Sequence, residues 1–398
     1  MLALKINGRE ISMNDGLSGE LPEKEGREPT GISAALKCAE QALFRASPNP
    51  RVGCIIVGTD GNVLGRGATQ PAGQAHAEIM ALRDAADRGF DTRGATAYVT
   101  LEPCSHHGRT GPCCHALAAA GIAKVVASVT DPNPLVAGRG FAYLQNHGVE
   151  VQVGPGADAS RELNIGFFSR MIRRRPWVRL KSATSLDGVS ALPNGVSQWI
   201  TSAEARSDGH AWRARACAIL TGIGTVQADD PRLDVRMVDT GRQPALALVD
   251  SQLKVSPNAS IFGVKRPVYI YTASTSTDKA GKLRALGAEV IHMPSLGGGV
   301  DLDGMLKDLA TQRQVNEVHV EAGTRLNGAL LNGGHVDELL QYLAPRLLGP
   351  GQPMALMEAL TDLADGICLD IRSVTKVGPD LRVLARLSGR DRFLQEHA

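Results

Sequence analysis

Along almost the whole chain, short β-branched apolar runs alternate with stretches of helical periodicity, and the alternation starts afresh once, after the basic run at Arg173–Arg175 and Pro176. A pattern that keeps switching between period two and period 3.6 restricts the chain to an α/β architecture, with helices covering a sheet. At 398 residues the chain exceeds one ordinary core, so the restart reads as a seam between two domains.

In the first series, Leu36, Ala39, Leu43 and Phe44 predict a helix from Gly31, ended by the Ser47–Pro50 break SPNP. RVGCIIVG, the turn TDGN and VLGRGAT predict a hairpin, and HAEIMALRDAADRG predicts a helix from His76 to Gly89. ATAYVTLEPC is a strand delivering Cys104; GPCCHALAAAG restarts as a helix with Pro112 in its first turn, placing Cys113 near a helix N-terminus. AKVVASV and VEVQVG are strands around the helix GRGFAYLQNHG. The second series has WVRLKSA, CAILTG, PALALVD, PVYIYTA, AEVIHM and NEVHVEAG as strands, with helices near 203–215, 276–287 and 301–312. The expected domains are 31–175 and 176–398, preceded by a loosely ordered polar extension, 1–30. The Arg173–Arg175 run reads as a solvated helix end at the seam rather than a phosphate patch.

A net charge of +2 gives no broad basic field for nucleic-acid binding. No apolar run is long enough to span a bilayer, and MLALKINGREISMNDG lacks a signal-peptide core, so a cytoplasmic protein without a membrane partner is expected. Seven cysteines, an odd number in a chain of this length, do not read as a disulfide framework, which turns attention to clustered thiols as metal ligands or catalytic groups.

Three cysteines and three histidines crowd into Glu102–His115, EPCSHHGRTGPCCH. Catalytic zinc takes three protein ligands and leaves a fourth position for water. Cys104 and Cys113, with His76 from the preceding His76-Ala77-Glu78, meet that count. Nucleobase deaminases carry H-x-E followed by P-C-x-x-C, the Glu being a proton shuttle; here eight residues separate the cysteines instead of two. A helix N-terminus favours the thiolate that zinc requires. His106, His107 and Arg109 are read as donors to a substrate phosphate or sugar, because three ligands and water already fill the metal. Cys114, Cys38, Cys54, Cys217 and Cys368 are read as core.

With these residues the chain resembles the bifunctional riboflavin-biosynthesis deaminase–reductases, whose deaminase half carries PNP-x-VG, HAE and P-C-S-H-H-G-R-T-x-P-C. The matching segments here are Pro48–Gly53, His76–Glu78 and Pro103–Cys113; Gly111 stands in place of the family's usual Pro, and Gln74-Ala75 in place of Gly-Pro. The resemblance implies a cytidine-deaminase-like three-layer domain in which Glu78 moves protons during hydrolytic deamination and Asn49 touches the substrate.

The second series has no G-x-G-x-x-G, and by pattern alone it is an α/β domain of unknown task. LKSATSLDG, SQWIT, the helix bearing Arg213, GTVQADDPRLDVR and VEAGTRLNGALL resemble the family's reductase domain, which is dihydrofolate-reductase-like and uses NADPH. That resemblance implies cofactor contacts at Ala183, Trp199, Thr225, Asp229 and the run Gly323, Thr324, Arg325, Leu326, Asn327, Gly328 and Ala329. The run has a physical reason too, since a strand turning into a helix presents N–H groups to phosphate. Substrate contacts are implied at Ser197, Arg213, Leu233, Arg236 and Glu321, with the two arginines suited to phosphate. Lys181, Asp187 and Glu321 are unranked candidates for the proton donor. The implied substrate is a small phosphorylated pyrimidine and the implied assembly a homo-oligomer. The competing reading is a zinc deaminase of nucleosides or tRNA whose second half is a recognition module. A purely structural zinc would call for a fourth protein ligand and leave Glu78 idle.

Overall fold

The computed structural model describes residues 4–6, 9–11, 31–105 and 111–396. Most of the 1–30 extension therefore lies outside the described residues, as do His106, His107 and Arg109. Within the extension, β1 (Leu4–Ile6) pairs antiparallel with β2 (Arg9–Ile11). The chain divides into two units, Met1–Arg173 with Phe393–Ala398, and Arg174–Arg392.

Helix α1 (Ile32–Glu40) leads the first unit into the sheet β4-β3-β5-β6-β7. Its strands are β3 (Gly53–Val57), β4 (Val63–Ala68), β5 (Thr96–Val99), β6 (Lys124–Ala127) and β7 (Glu150–Val153). The β3–β4 hairpin and the β3–β5 pair are antiparallel; β5, β6 and β7 run parallel. Glycines set how closely helices approach this sheet. A Cβ on Gly53 would lie 1.9 Å from the Ala35 carbonyl of α1. On Gly65 and Gly67 it would lie 2.1 Å from the Ala81 and Ala77 carbonyls of α2 (Ala77–Asp87). Gly67 pairs with Cys54, the neighbour of Gly53. Because successive strand residues face opposite ways, α1 and α2 cover opposite faces, which makes the three layers. Helices α3 (Cys113–Ala119), α4 (Arg139–Asn146), α5 (Ala157–Leu163) and α6 (Ile165–Arg173) follow, and α12 (Phe393–Glu396), from the far end of the chain, packs on α6. There the Arg173 guanidinium lies 4.5 Å over the Phe393 ring.

The second unit is built on a nine-stranded sheet, β13-β12-β11-β10-β14-β8-β15-β18-β17. Its central strands are β8 (Trp177–Ser185), β10 (Ala218–Gly222), β11 (Ala245–Val249) and β14 (Glu317–Val320), with β12 (Val268–Thr272) and β13 (Ala288–His292) beyond. These and β15 (Glu338–Ala344) run parallel; β18 (Asp380–Leu387) and β17 (Leu369–Val377) complete one edge antiparallel. A small pair, β9 (Val189–Ala191) and β16 (Gln352–Pro353), stands apart. The helices are α7 (Ala203–Arg215), α8 (Ile223–Asp229), α9 (Thr277–Ala285), α10 (Leu302–Thr311) and α11 (Thr324–Asn332).

Two sequence expectations are corrected here. Cys368 is exposed, not core, because it immediately precedes β17, an edge strand whose residues mostly face solvent. The fold also gains β15, β17 and β18, none of them anticipated. The Arg173–Arg175 run is engaged rather than solvated throughout: Arg173 Nη2 donates to Ser169 Oγ (2.6 Å), and Arg175 pairs with Asp303 (2.9 Å).

Beneath the sheet lies a buried ion network. Arg179 meets Glu338 at 2.5 Å and Glu317 at 3.1 Å; Arg215 also meets Glu317, and Arg386 meets Glu338.

Candidate active sites

His76 is the N-cap of α2 in extended conformation, and Glu78 stands in the first turn, so one helix start supplies both groups. Cys104 follows β5 in a loop, while Cys113 opens α3 behind Pro112. The three donor atoms lie within 4.8 Å of one another. His76 Nδ1 is 3.6 Å from Cys104 Sγ and 3.3 Å from Cys113 Sγ. Tetrahedral zinc with ordinary Zn–S and Zn–N bonds requires an N···S separation of about 3.5 Å. Donor type, number and spacing therefore fit zinc.

The charges fit as well. The Cys113 thiol, together with the Cys113 backbone N–H donating at 3.4 Å and the nearby His76, brings Cys104 down to about 4. His76 is raised by its bond to Cys104. Glu78 is 3 % exposed, and burial, reinforced by the Cys104 thiolate, pushes its carboxyl up to about 7. Next to the Cys104 turn, Glu102 accepts backbone N–H bonds from Asp131 (3.1 Å), Gly138 (2.9 Å) and Gly140 (2.9 Å). Asn49 sits inside the SPNP break, its N–H donating to Ala46 O at 2.9 Å. Cys114 is buried in α3 away from the metal-ligand group.

In the second unit a cavity of about 1250 Å³ opens beyond the carboxyl ends of β10, β11 and β14, where ligands bind in open α/β sheets. Ala183, Trp199, Thr225, Asp229 and Gly323–Asn327 line it, as do Ser197, Arg213, Leu233, Arg236 and Glu321. Gly328 and Ala329 do not: Gly328 is packed so tightly beneath Leu356 that a Cβ would lie 1.9 Å from its carbonyl, and Ala329 faces outward. Helical geometry turns those two positions away from the N-terminal end that meets the cavity.

Arg213 forms a bidentate pair with Glu321, one bond being Nη2 to Oε2 at 2.8 Å, and Nη1 donates to Asp234 O at 3.0 Å. Burial would raise the Glu321 carboxyl, but Arg213 outweighs it and holds the group well below its ordinary value. Lys181 is lowered by burial, partly offset by Glu321. Of the three proton-donor candidates, Lys181 and Glu321 line the cavity; Asp187 does not, its carboxylate being bonded to the Ser185 hydroxyl and the Leu348 and Gly349 N–H groups. Sequence reading missed Arg206 and His210, which share a face of α7 with Arg213; their spacing of four and three residues was the available signal. Arg206 lies 4.4 Å over the Trp199 ring. Burial, then Arg213 and Arg236, lowers His210 to about 4, so it is neutral at physiological pH.

Residues 28–129 match the model for the cytidine and deoxycytidylate deaminase zinc-binding region, and residues 176–383 match that for the RibD C-terminal domain. The Escherichia coli riboflavin biosynthesis protein RibD is 44% identical over 363 residues, covering 88% of this chain and 96% of the relative. This chain belongs to the RibD family. A solved RibD from Acinetobacter baumannii superposes with a TM-score of 0.81 at 38% identity, covering 90% of this chain and 98% of that one. A Thermotoga maritima structure described as a diaminohydroxyphosphoribosylaminopyrimidine deaminase/5-amino-6-(5-phosphoribosylamino)uracil reductase gives 0.80 at 31% identity, covering 89% and 97%. Like other RibD proteins, this one is a bifunctional deaminase and reductase of riboflavin biosynthesis, with a zinc-binding cytidine-deaminase-like domain and a dihydrofolate-reductase-like domain that uses NADPH. The match over 176–383 displaces the recognition-module reading of the second half. Among the described residues no helix is long and apolar enough to cross a membrane.

Proposed function

We propose that the chain deaminates 2,5-diamino-6-(5-phosphoribosylamino)pyrimidin-4(3H)-one in its 31–175 domain and reduces the product's ribosyl group in its 176–398 domain. The observation that carries the first half is the convergence of His76, Cys104 and Cys113 beside the buried carboxyl of Glu78. The three donors would hold zinc, His76 through Nδ1, which faces both thiol sulfurs. Zinc, when bound, lowers the pKa of water so that hydroxide is available near neutral pH. Glu78, with an affinity poised at about 7, takes a proton from water and passes it to the pyrimidine ring nitrogen. It then takes the proton of the hydroxyl now on the ring carbon and gives it to the departing amine; the carbonyl forms, the C–N bond breaks and ammonia leaves. Asn49 contacts the substrate.

In the second half, NADPH supplies hydride to the sugar carbon attached to the amine. The start of α11 offers N–H groups to the cofactor, with Ala183, Trp199, Thr225 and Asp229 around it. Arg213, oriented by Glu321 and Asp234, and the more exposed Arg236 hold the substrate phosphate with Ser197 and Leu233. A cytoplasmic location, and a homo-oligomeric assembly suggested by the family resemblance, complete the proposal.

The test follows ammonia and NADPH oxidation separately. Glu78→Gln should slow ammonia release by about a hundred- to ten-thousandfold with zinc still bound. The same variant should oxidise NADPH normally when given the deaminated intermediate. Ammonia release at the parental rate would refute the role of Glu78.

A further inference from the structure

We propose that Arg266 is a positioning residue of the reductase, holding the Asp229–Arg236 loop in the shape that meets the substrate phosphate. The inference rests on the reading of the cavity given above and adds a group that no sequence motif marks.

The loop is bent in an uncommon way. Two of its non-glycine residues, Asp230 (φ 40°) and Leu233 (φ 50°), adopt left-handed backbone conformations, and Leu233 is buried. An aliphatic side chain leaves that conformation unless its surroundings impose it. In extended chain, successive carbonyls point to opposite sides; a helical-type residue of either hand brings them to the same side. At Leu233 the left-handed turn aligns the carbonyls of Arg232 and Leu233, and both meet one guanidinium. Arg266 Nη2 donates to Arg232 O at 2.6 Å and Nη1 donates to Leu233 O. A planar fork with two parallel donors suits this pair, and a single ammonium does not.

Arg266 stands just before β12, more than thirty residues from the loop in sequence. Burial brings its guanidinium down to about 10, partly offset by Asp234, so it stays charged at neutral pH. Among the described residues it makes no ion pair, and its terminal nitrogens are committed to the two loop carbonyls. Other side chains fasten the rest of the loop. Ser260 donates to the Asp230 carboxylate at 2.8 Å from nitrogen and 2.7 Å from oxygen. Gln243 brackets Val235 at 2.7 and 2.8 Å, and His210 Nδ1 accepts from Arg236 N at 3.4 Å. Arg266 is the fastening at the left-handed turn itself. Arg232, Leu233 and Arg236 line the cavity while Arg266 does not, so it acts through the loop and not on the ligand.

The test uses the full chain with Arg266→Met and Arg266→Lys. For Arg266→Met, KM for the phosphorylated deaminated intermediate should rise about ten- to hundredfold, as for a misplacement near 1 Å, with kcat nearly unchanged. Arg266→Lys should recover only part of the loss. Activity on the dephosphorylated intermediate should match the parent, and ammonia release, carried by the other unit, should be unaffected. A parental KM in the folded variant would overturn the inference, as would an equal loss on the dephosphorylated compound. If Arg266→Met unfolds the reductase unit, Arg266→Lys decides by the same KM criterion. Arg236→Ala separates the two levels: if it too leaves KM unchanged, the phosphate reading itself falls. If Arg236→Ala raises KM and the Arg266 variants do not, only the positioning role falls.

Discussion

Replacing Gly67 by alanine should disable the deaminase through a helix displacement rather than by touching any reacting group. The new Cβ would lie 2.1 Å from the Ala77 carbonyl, 2.4 Å from the Ala81 nitrogen and 2.9 Å from the Met80 Cβ. Ordinary contact begins near 3.4 Å, so α2 would have to recede by roughly 1.3 Å at its first turn, there being no flexible side chain to yield instead. Ala77 lies between His76 and Glu78, and a metal site tolerates errors of only about 0.2 Å in its ligand distances. The overpacking would cost about 1–3 kcal/mol of stability. Deamination should fall about a hundredfold or more, the usual penalty for a misplacement near 1 Å. The assay measures zinc retention against a competing chelator together with ammonia release, with NADPH oxidation on the deaminated intermediate as the internal control. Parental zinc retention and ammonia release in a folded Gly67→Ala protein would refute the argument that this glycine sets the height of the helix over the sheet.

Three further outcomes are expected. Burial pushes the Asp131 carboxyl up to about 7 from an unfolded value near 4, so the folded state binds the extra proton between those values and loses stability as pH rises through them, by at most about 4 kcal/mol. Asp131→Asn should therefore raise the denaturation midpoint at pH 8 and leave it unchanged at pH 4; equal effects at both would contradict this. Glu338→Gln should weaken the Arg179 and Arg386 pairs inside the sheet and destabilise the second unit by about 3–5 kcal/mol in chemical denaturation, while the same change at the exposed Glu150 should have little effect. Gly328→Ala should force Leu356 away from α11 and raise KM for NADPH more than for the pyrimidine; the reverse order would mean that α11 does not face the cofactor.

The sequence made the converging trio His76, Cys104 and Cys113 legible because each sits at the end of a strand or helix with its own local signal: the H-x-E helix start, the P-C turn and the proline-led helix. Helix 203–215 was likewise readable to the residue, helped by the Ser202 cap, whose side chain accepts from Ala205 N. The C-terminal strands were not. Residues 369–377 mix charged side chains with apolar ones on an edge whose outer face stays in water, so the period-two pattern carries no burial contrast. The same exposure explains why Cys368 defied its apolar neighbours. The role of Arg266 and the packing of Gly328 under Leu356 were invisible for a different reason. Their partners are backbone atoms brought close only by the tertiary fold, and a bond between a side chain and a distant carbonyl leaves no spacing rule behind it.

The return of α12 to the first unit makes the chain cross the seam twice, once after Arg173 and again before Phe393. Topologically, the reductase is an insert whose two ends leave and rejoin the deaminase at α6 and α12, next to each other. A protease nick at the first crossing alone would cut the chain into two polypeptides, and the fragment carrying the reductase would keep α12, whose packing on α6 is non-covalent. A second cut before Phe393 would also release that helix from the reductase, and an expression design that ends the reductase at the last residue of the chain would carry with it a helix belonging to its neighbour.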